Sequence, residues 1–197
     1  AISANGRPGP VLIDIPKDVQ FAKGKYLNKI KTIIPPHRLF EPRIKANGDY
    51  IEEATKLIAN AKKPLFYIGG GCINSGPKAS ELVTKFVQNI EAPATMTLMG
   101  LGVLAASDKH SLGMLGMHGM YEANMAMNEC DVMINIGARF DDRVTGRLDA
   151  FSPNSKKIHI DIDASNINKT IKIDVPIIGD IHSVMTQIFN SWKKNKY

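Results

Sequence analysis

Residues 65–71 read Leu-Phe-Tyr-Ile-Gly-Gly-Gly, a short apolar run that passes directly into three glycines. A run of four apolar residues that ends at a turn signal is typical of a strand buried on both faces. Pro77 follows, at a position suited to the first turn of a helix. Strand, tight turn and helix are the repeating unit of a parallel sheet, so this stretch predicts an α/β fold.

The same alternation continues in both directions from this unit. Apolar residues at helical spacing predict a helix that starts at Asn47 or Asp49 and ends at Pro64. Further helices are predicted at 77–90, at 123–129 and after the capping residue Asp180, and further strands at 94–97, 132–136, 158–161 and 175–178. We therefore expect a three-layer αβα domain built on a parallel, Rossmann-like sheet.

The N-terminal part of the chain has a different character. Residues 11–15, Val-Leu-Ile-Asp-Ile, are β-rich and end at Pro16, so they are predicted to be a strand whose sheet partners lie outside this chain. The chain starts without methionine, and we expect it to begin inside a larger protein. The expected organisation is the end of a truncated domain at 1–20, a Lys- and Pro-rich linker at 21–46, and a compact domain at 47–197.

Composition and charge exclude several classes of protein. Of the 197 residues 44% are hydrophobic, which is enough for a folded core. No apolar run approaches the roughly 18 residues of a membrane span, and two cysteines are too few for a disulfide scaffold. The net charge of +6 arises in residues 1–63, with 12 basic and 6 acidic side chains, whereas residues 64–197 hold 13 of each. This distribution favours a basic linker over a nucleic-acid-binding domain.

Ligands of parallel sheets bind at the carboxyl ends of the strands, so the residues that follow each strand are the candidate site. The glycines at 69–71 open a helix and can approach an anion, or they can simply form a tight turn. They do not match the dinucleotide fingerprint, because Asn74 stands where a glycine is required. They do not match a P-loop either, because Pro77 and Lys78 replace the Lys-Ser/Thr pair.

Residues 137–146, Gly-Ala-Arg-Phe-Asp-Asp-Arg-Val-Thr-Gly, follow a predicted strand and combine two arginines with two aspartates. Arg139 and Arg143 could contact a diphosphate or an aromatic ring system, with Asp141 or Asp142 holding one of them in place. A cluster of surface salt bridges is the alternative.

Three other features of this edge leave alternatives open. Residues 112–120 have a glycine at every third position, which disfavours a helix, and include His118, typical of a structural histidine. Cys72 is predicted to be either a thiol of lowered pKa at a helix N-terminus or a small packed side chain. Asp161 could accept hydrogen bonds from a ribose or adenine, whereas Asp163 is predicted to cap a helix.

Together these segments resemble the catalytic (large) subunit of acetohydroxyacid (acetolactate) synthase, a thiamine-diphosphate enzyme family of isoleucine and valine biosynthesis. The stretches that carry the resemblance are residues 6–20 (GRPGPVLIDIPKDVQ), 69–76, 97–102 (TLMGLG), 112–124, 137–146 (GARFDDRVTG) and 166–169 (NINK). They span nearly the whole chain in the family's order. The resemblance implies that the chain holds the end of the N-terminal pyrimidine-binding domain and the entire central domain of a three-domain enzyme.

The family's central domain binds FAD, which is largely structural because the carboligation has no net redox change. Carried over by motif, the residues toward the ribityl–diphosphate portion are Gly69, Gly70, Gly71 and Asn74. Those near the flavin are Thr97, Leu98, Leu115, Gly116, Met117 and His118. The central contacts are Gly137, Ala138, Arg139, Asp141, Arg143 and Val144, and Arg7 adds a contact from the first domain. Those toward the adenosine are Asp161, Ile162, Asn166, Gly179 and Asp180. Lys17, Met117 and Asp142 match the family's substrate channel.

The resemblance also implies what this chain lacks. The catalytic glutamate and the motif that binds thiamine diphosphate and Mg²⁺ belong to parts of the family's enzymes that have no match here. We therefore expect no catalytic residue and no metal ligand in this chain, and no activity from it alone. The parent reaction would be condensation of pyruvate with a second 2-oxo acid.

The resemblance further implies a homo-oligomer of the catalytic subunit, joined by a small regulatory subunit, in the bacterial cytoplasm or in a plastid. Neither a nucleic acid nor a membrane is an expected partner. The alternatives are the central domain of glyoxylate carboligase or pyruvate oxidase, and a nucleotide-binding module without enzymatic activity.

Overall fold

The computed structural model describes Ser3, Ala4, residues 6–25 and residues 45–197. The chain divides into two compact units, Ala1–Pro42 and Arg43–Tyr197. In the described part of the first unit, helix α1 comprises Lys17–Phe21. The predicted linker at 21–46 falls mostly on residues 26–44, which lie outside the described residues.

The strand predicted at 11–15 is wrong. These residues have no regular structure, and their apolar side chains are exposed, Leu12 by 93% and Ile13 by 76%. A strand is stabilised by hydrogen bonds to a neighbouring strand, and none of the described residues pairs with this segment. A high β propensity is therefore not sufficient to make these residues a strand here.

The second unit contains a six-stranded sheet in which every pair of neighbours is parallel. The strands are β1 (Pro64–Ile68), β2 (Ala94–Met96), β3 (Ser111–Met114), β4 (Val132–Ile136), β5 (Lys156–Asp161) and β6 (Val175–Ile178). Their spatial order is β3-β2-β1-β4-β5-β6. This is the order of dinucleotide-binding sheets, in which the chain reverses its direction of travel between β1 and β4. The parallel α/β fold is confirmed.

The helices of this unit are α2 (Gly48–Ala59), α3 (Gly71–Asn74), α4 (Pro77–Ile90), α5 (Tyr121–Glu129), α6 (Asp142–Thr145) and α7 (Ile181–Asn195). Short 3-10 turns occupy Leu98–Gly100, Leu148–Ala150 and Ala164–Asn166. Two of the predicted helix starts are confirmed, because Asn47 caps α2 and Asp180 caps α7 through their side-chain oxygens. Helix α2 ends at Ala59 rather than at Pro64, which instead begins β1.

One face of the sheet is covered by α2, α4 and α7. Their apolar side chains form one buried cluster with alternate strand residues such as Phe66, Ile134 and Ile158. Phe86 of α4 lies at its centre, and its ring centroid is 5.9 Å from that of Phe66 and 5.6 Å from that of Trp192. These contacts fix α4 and α7 against the sheet.

The opposite face has a different cover. Helix α5 contributes Ala123 and Met127 to a second buried cluster, and irregular segments contribute Phe140, Phe151 and Ile171. Loops that follow the strands therefore take the place of helices on this face, where they pack close to the carboxyl edge of the sheet. Within the described residues, no helix is long and apolar enough to cross a membrane.

Candidate functional site

The loops that follow β1 and β4 meet where the strand order reverses. Gly69 N–H donates to the carbonyl of Ile136 at 2.9 Å, and Gly71 N–H donates to the carbonyl of Gly137 at 3.0 Å. A crevice at this position of an open parallel sheet is where ligands bind. The structure thus joins two segments that are more than 60 residues apart in the sequence.

Glycine is required on both sides of this contact. A Cβ on Gly69 would clash with the carbonyl of Gly137 and with Ala138. Gly137 has a φ of 64°, which disfavours other residues, and its own Cβ would lie 2.8 Å from the Cα of Gly71. The two loops consequently pack backbone against backbone, and no side chain stands between them.

The loop after β2 borders the first glycine turn. Thr97 accepts a hydrogen bond from Gly100 N–H at 3.1 Å through its hydroxyl and so caps the 3-10 turn there. A Cβ on Gly70 would lie 2.9 Å from the Cβ of Met99. Leu98 and Met99 are exposed by 70% and 74%. Two large apolar side chains therefore face solvent beside the glycines.

Residues 115–118 are attached to the loop that follows β4. The side chain of Asn124 accepts from Gly116 N–H at 2.8 Å and donates to its carbonyl at 3.0 Å, and Met117 N–H donates to the carbonyl of Arg143 at 2.9 Å. Leu115 is buried, whereas Met117 and His118 are exposed. His118 is therefore not a buried structural histidine, and residues 111–114 form β3, which the glycine pattern did not predict.

The two arginines of residues 137–146 each pair with an aspartate of the same segment. The distance from Arg139 Nη2 to Asp141 Oδ2 is 3.0 Å, and that from Arg143 Nη1 to Asp142 Oδ2 is 3.1 Å. All four side chains are about half exposed or more. Exposed ion pairs contribute little to stability, so these guanidinium groups can exchange a carboxylate for an anionic ligand at small cost. Val144 is half-buried beside them, against Gly116.

The ends of β5 and β6 carry the residues predicted to lie toward an adenosine. Asp161 Oδ1 accepts from Asp163 N–H at 2.9 Å, and Asp161 Oδ2 accepts from the Asn166 amide at 3.0 Å. Gly179 N–H donates to the carbonyl of Asp161 at 3.0 Å, which joins the two strand ends. Asp163 accepts from Ser165 N–H at 2.9 Å, so its predicted role as a cap, here of a 3-10 turn, is confirmed. Ile162 is half-buried between them.

Asp161 is held as a carboxylate by its neighbours. Burial alone would raise the pKa of this side chain, but the nearby His159 imidazole and the hydrogen bonds from Asp163 and Asn166 lower it more. The net pKa of Asp161 is below its ordinary value. A buried negative charge therefore persists at this end of the edge at neutral pH.

Cys72 and Asp180 are fixed in different ways beside the first glycine turn. Burial raises the pKa of the Cys72 thiol to about 12, and its Sγ packs 3.5 Å from the carbonyl of Ile136. Of the two interpretations of this cysteine, the packed side chain is confirmed. The hydroxyl of Ser75 donates to Asp180 Oδ2 at 2.6 Å, which ties the end of α3 to the start of α7. Asn74 is exposed at the same end of α3.

Two candidate residues belong to the first unit of the chain. Arg7 and Lys17 belong to the first unit, in which the Lys17 ammonium lies 5.8 Å from the centroid of the Phe21 ring. The other candidates lie on loops at the carboxyl ends of the six strands. Among the described residues, no three His, Cys, Asp or Glu side chains are grouped to hold a metal ion.

Several residues that shape the site were not predicted. Asn124 holds Gly116, and three buried polar side chains hydrogen-bond to the backbone of residues 138 and 139: Tyr67, Asn135 and His159. The only signal in the sequence is a polar residue inside an apolar strand, as in Val-Met-Ile-Asn-Ile at 132–136. That signal marks the position as unusual but does not say what the side chain binds.

Comparison with known proteins places this geometry in a family. The model of the thiamine pyrophosphate enzyme central domain matches residues 51–188. Similar proteins include the acetolactate synthase large subunit of Buchnera aphidicola from Schizaphis graminum, 43% identical over 198 residues, which covers 99% of this chain and 34% of that protein. Acetolactate synthase isozyme 3 large subunit of Escherichia coli is 40% identical over 190 residues, or 95% and 32% of the two chains.

A third relative comes from the red alga Porphyra purpurea, whose acetolactate synthase large subunit is 44% identical over 198 residues, or 98% of this chain and 32% of that protein. The chain thus spans about a third of the length of the curated relatives it matches. The family match covers all six strands and the loops that follow them at the candidate edge. It leaves out the first residues of α2 and the last turns of α7. On this evidence the chain belongs to the thiamine pyrophosphate enzyme family, as a central domain.

Proposed function

We propose that residues 47–197 bind FAD at the carboxyl edge of the sheet. The observation that carries the proposal is the backbone-lined contact between Gly69, Gly71 and Gly137 at the reversal of strand order. The N–H groups of these three glycines already donate to backbone carbonyls, so the group that can bind a diphosphate here is the exposed guanidinium of Arg139. Because the glycines carry no side chain, none projects toward a ligand from this contact. A flat ring needs exposed apolar side chains, which Leu98 and Met117 offer. The residues present therefore fit a dinucleotide that carries an aromatic ring.

The residues proposed to hold each part of FAD follow the order of the loops. Gly69, Gly70, Gly71 and Asn74 would hold the ribityl–diphosphate portion. Thr97, Leu98, Leu115, Gly116, Met117 and His118 would lie beside the flavin, and Gly137, Ala138, Arg139, Asp141, Arg143 and Val144 would provide the central contacts. Asp161, Ile162, Asn166, Gly179 and Asp180 would reach the adenosine, and Arg7 would add a contact from the first unit.

For the whole protein we propose acetolactate synthase activity, the condensation of pyruvate with a second 2-oxo acid. The support is the name shared by relatives 40 to 44% identical to this chain. Thiamine diphosphate and Mg²⁺ would bind outside residues 1–197, and Lys17, Met117 and Asp142 would line the substrate channel. A bound FAD would be structural in this reaction, and the chain alone would form no acetolactate.

The same relatives support three further proposals. Their designation as large subunits supports a small regulatory subunit as partner of a homo-oligomer. Their bacterial and red-algal sources support the bacterial cytoplasm or a plastid as the location. For the organisation of the chain, we propose the end of a pyrimidine-binding domain at 1–20, a linker at 21–46 and the FAD-binding domain at 47–197.

The test is a calorimetric titration of the 197-residue chain with FAD, alongside two arginine variants. Arg139→Ala removes a guanidinium that is proposed to touch the ligand. Arg147→Ala is the matched control, because Arg147 is also exposed and also pairs with an aspartate, Asp149, at 2.9 Å, but is not a candidate contact. We expect saturable binding that Arg139→Ala weakens at least about tenfold, equivalent to about 1.4 kcal/mol. Arg147→Ala should bind like the unmodified chain.

The outcome distinguishes FAD binding from its alternative. If ADP binds as tightly as FAD, the site recognises only the nucleotide, and the flavin assignment fails. Absence of saturable binding to the folded chain would contradict the assignment of FAD to this chain alone. Acetolactate formed by the chain from pyruvate with thiamine diphosphate and Mg²⁺ would contradict the proposal that it is inactive.

A further inference from the structure

A row of four buried polar side chains crosses the middle of the sheet. Thr95, Tyr67, Asn135 and His159 stand on β2, β1, β4 and β5, and each is the register partner of the next. Register partners on parallel strands point to the same face, here the face covered by α5 and the loops. All four residues have no exposed surface. Buried polar groups are costly unless they are hydrogen-bonded, so the partners of this row indicate its role.

Three members of the row bond to the backbone of two adjacent residues in the loop after β4. Asn135 donates from Nδ2 to the carbonyl of Ala138 at 2.9 Å and accepts from Ala138 N–H at 3.0 Å through Oδ1. The hydroxyl of Tyr67 donates to the carbonyl of Arg139 at 3.0 Å. His159 Nε2 lies 3.1 Å from the carbonyl of Ala138. Every hydrogen-bonding group of the Ala138 backbone is therefore held by a buried side chain.

The protonation states of these side chains suit that role. Because His159 Nε2 faces a carbonyl oxygen, which can only accept, Nε2 carries a proton and donates it. His159 Nδ1 is buried without a hydrogen-bond partner among the described residues, which costs free energy of folding. An apolar residue at this position would avoid that cost, so packing alone does not explain the histidine. Burial, reinforced by Asp141, raises the pKa of Tyr67 above its ordinary value although Arg139 opposes this. The phenol therefore stays a neutral donor.

Thr95 differs from the other three members. Its hydroxyl donates to the carbonyl of Gly113 at 3.0 Å, on the neighbouring strand β3, and not to the loop after β4. Thr95 is as buried as the others and makes one comparable hydrogen bond. It is consequently an internal control for the cost of removing a buried hydroxyl from this layer.

We propose that Tyr67, Asn135 and His159 are positioning residues that fix the backbone of Ala138 and Arg139 and thereby direct the exposed Arg139 side chain toward the ligand. The effect on ligand binding rests on the proposed FAD site. The fixing of the loop backbone does not depend on that site. None of the three side chains needs to touch the ligand. Their effect on binding passes through the peptide groups of the loop.

The experiment compares Tyr67→Phe and Asn135→Ala with Thr95→Val in the 197-residue chain. The first measurement is amide hydrogen exchange of the ligand-free chain in peptides that cover residues 137–142. We expect exchange at least about tenfold faster in Asn135→Ala, because Ala138 N–H loses its acceptor, and no change there in Thr95→Val. The second measurement is the Kd for FAD, which should rise about tenfold in Tyr67→Phe and stay within about twofold in Thr95→Val. We expect this difference in Kd even if the two substitutions lower the thermal midpoint of the chain by the same amount.

Each result decides a separate question. Variants that lower the thermal midpoint but match Thr95→Val in both exchange and Kd would overturn the positioning role and leave these residues as core packing. If the unmodified chain binds no FAD while exchange at 137–142 still responds, the proposed function fails and the positioning stands. If Asn135→Ala does not fold, Tyr67→Phe decides, since it removes only one oxygen; unchanged exchange at 137–142 together with an unchanged Kd would then overturn the proposal.

Discussion

Cys72 illustrates how burial overrides sequence position at the level of a single residue. It stands in the first turn of α3, where a helix N-terminus would lower the pKa of a thiol. Helix α3 has only four residues, and Cys72 has no exposed surface. Desolvation of the thiolate consequently dominates and raises the pKa of Cys72 to about 12.

The first prediction is that Cys72 resists alkylation in the folded chain. At pH 8 both Cys72 and Cys130 should stay unmodified by iodoacetamide, because both thiols are buried and burial raises both pKa values. Mass spectrometry of the intact chain measures the modification. The same chain in guanidinium chloride is the control, and there both should react. Labelling of Cys72 at the rate of a free thiol would disprove the assignment.

The second prediction concerns Asp161 and acid. Because the folded state holds the pKa of Asp161 below the unfolded value of about 3.9, the carboxylate stabilises the fold above that pH. This contribution is lost as the pH falls through the lowered folded pKa. The difference in free energy of unfolding between the unmodified chain and Asp161→Asn should therefore be largest near neutrality and shrink toward pH 2. Urea titrations across this range measure it, and a constant difference would refute the prediction.

At the scale of elements, the start of α7 is the connection most open to test. Asp180 accepts from Ser183 N–H at 3.1 Å and from the Ser75 hydroxyl at 2.6 Å, so one carboxylate caps α7 and holds the end of α3. Asn47, in contrast, caps α2 through one hydrogen bond to Asp49 N–H at 3.1 Å. The two caps differ in the number of elements that each connects.

The third prediction follows from that difference. Asp180→Ala should destabilise the chain by roughly 1–3 kcal/mol, since it removes a cap and a side-chain hydrogen bond. Asn47→Ala should cost about 1 kcal/mol for the cap alone. Urea unfolding of both variants measures the two values. When Asp180→Ala is made in a chain that already carries Ser75→Ala, its cost in free energy of unfolding should fall to that of Asn47→Ala. If Asp180→Ala still costs more than Asn47→Ala in that chain, the Ser75 contact contributes nothing to stability.

Periodic elements were predictable from the sequence, and elements made by tertiary contacts were not. Strand β4 agrees with prediction because it is a short, nearly continuous apolar run, and helix α4 agrees because its apolar residues recur at helical spacing. Strand β3, Ser-Leu-Gly-Met at 111–114, was missed because its glycine suggests a loop, yet pairing with β2 makes it a strand. Residues 11–15 show the opposite case. Their composition is typical of a strand, but they pair with no strand among the described residues and so do not form one.

The candidate site was predictable as an edge but not as a geometry. Strand ends mark which loops share the carboxyl edge, so the glycines at 69–71 and the arginines of 137–146 were found. The sequence cannot show that Asn135 turns its amide onto Ala138 or that Asn124 holds Gly116, because those contacts depend on how loops fold back over the sheet. Arg7 and Lys17 remain predictions, as does every contact with a ligand.

At the scale of the whole second unit, both hydrophobic clusters are built on the same strands. Trp192, the only tryptophan of the chain, is partly buried against one cluster, and Cys130 is a buried member of the other. Alternate residues of β1 and β4 belong to opposite clusters. Because the same strands carry both clusters, unfolding of these strands disrupts both clusters at once.

The fourth prediction is therefore a single unfolding transition. Trp192 fluorescence reports on the face with three helices, and accessibility of Cys130 to a thiol reagent reports on the face with α5. We expect the two probes to give the same urea midpoint, with far-UV circular dichroism as a third measure. A Cys130 transition at clearly lower urea would show instead that the loop-covered face opens separately.

The exposed residues 11–15 have a consequence for how the chain behaves at high concentration. A bare β-prone run such as Val-Leu-Ile-Asp-Ile is a template for intermolecular strand pairing, the first step toward fibrils. Pro10 and Pro16 bracket it and Asp14 interrupts it, which are the gatekeeper residues that slow such growth. The net charge of +6 adds colloidal repulsion, and added salt screens it. We therefore expect residues 11–15 to promote self-association of the chain at high concentration. Two prolines and one carboxylate oppose it, and the repulsion between chains opposes it most at low ionic strength.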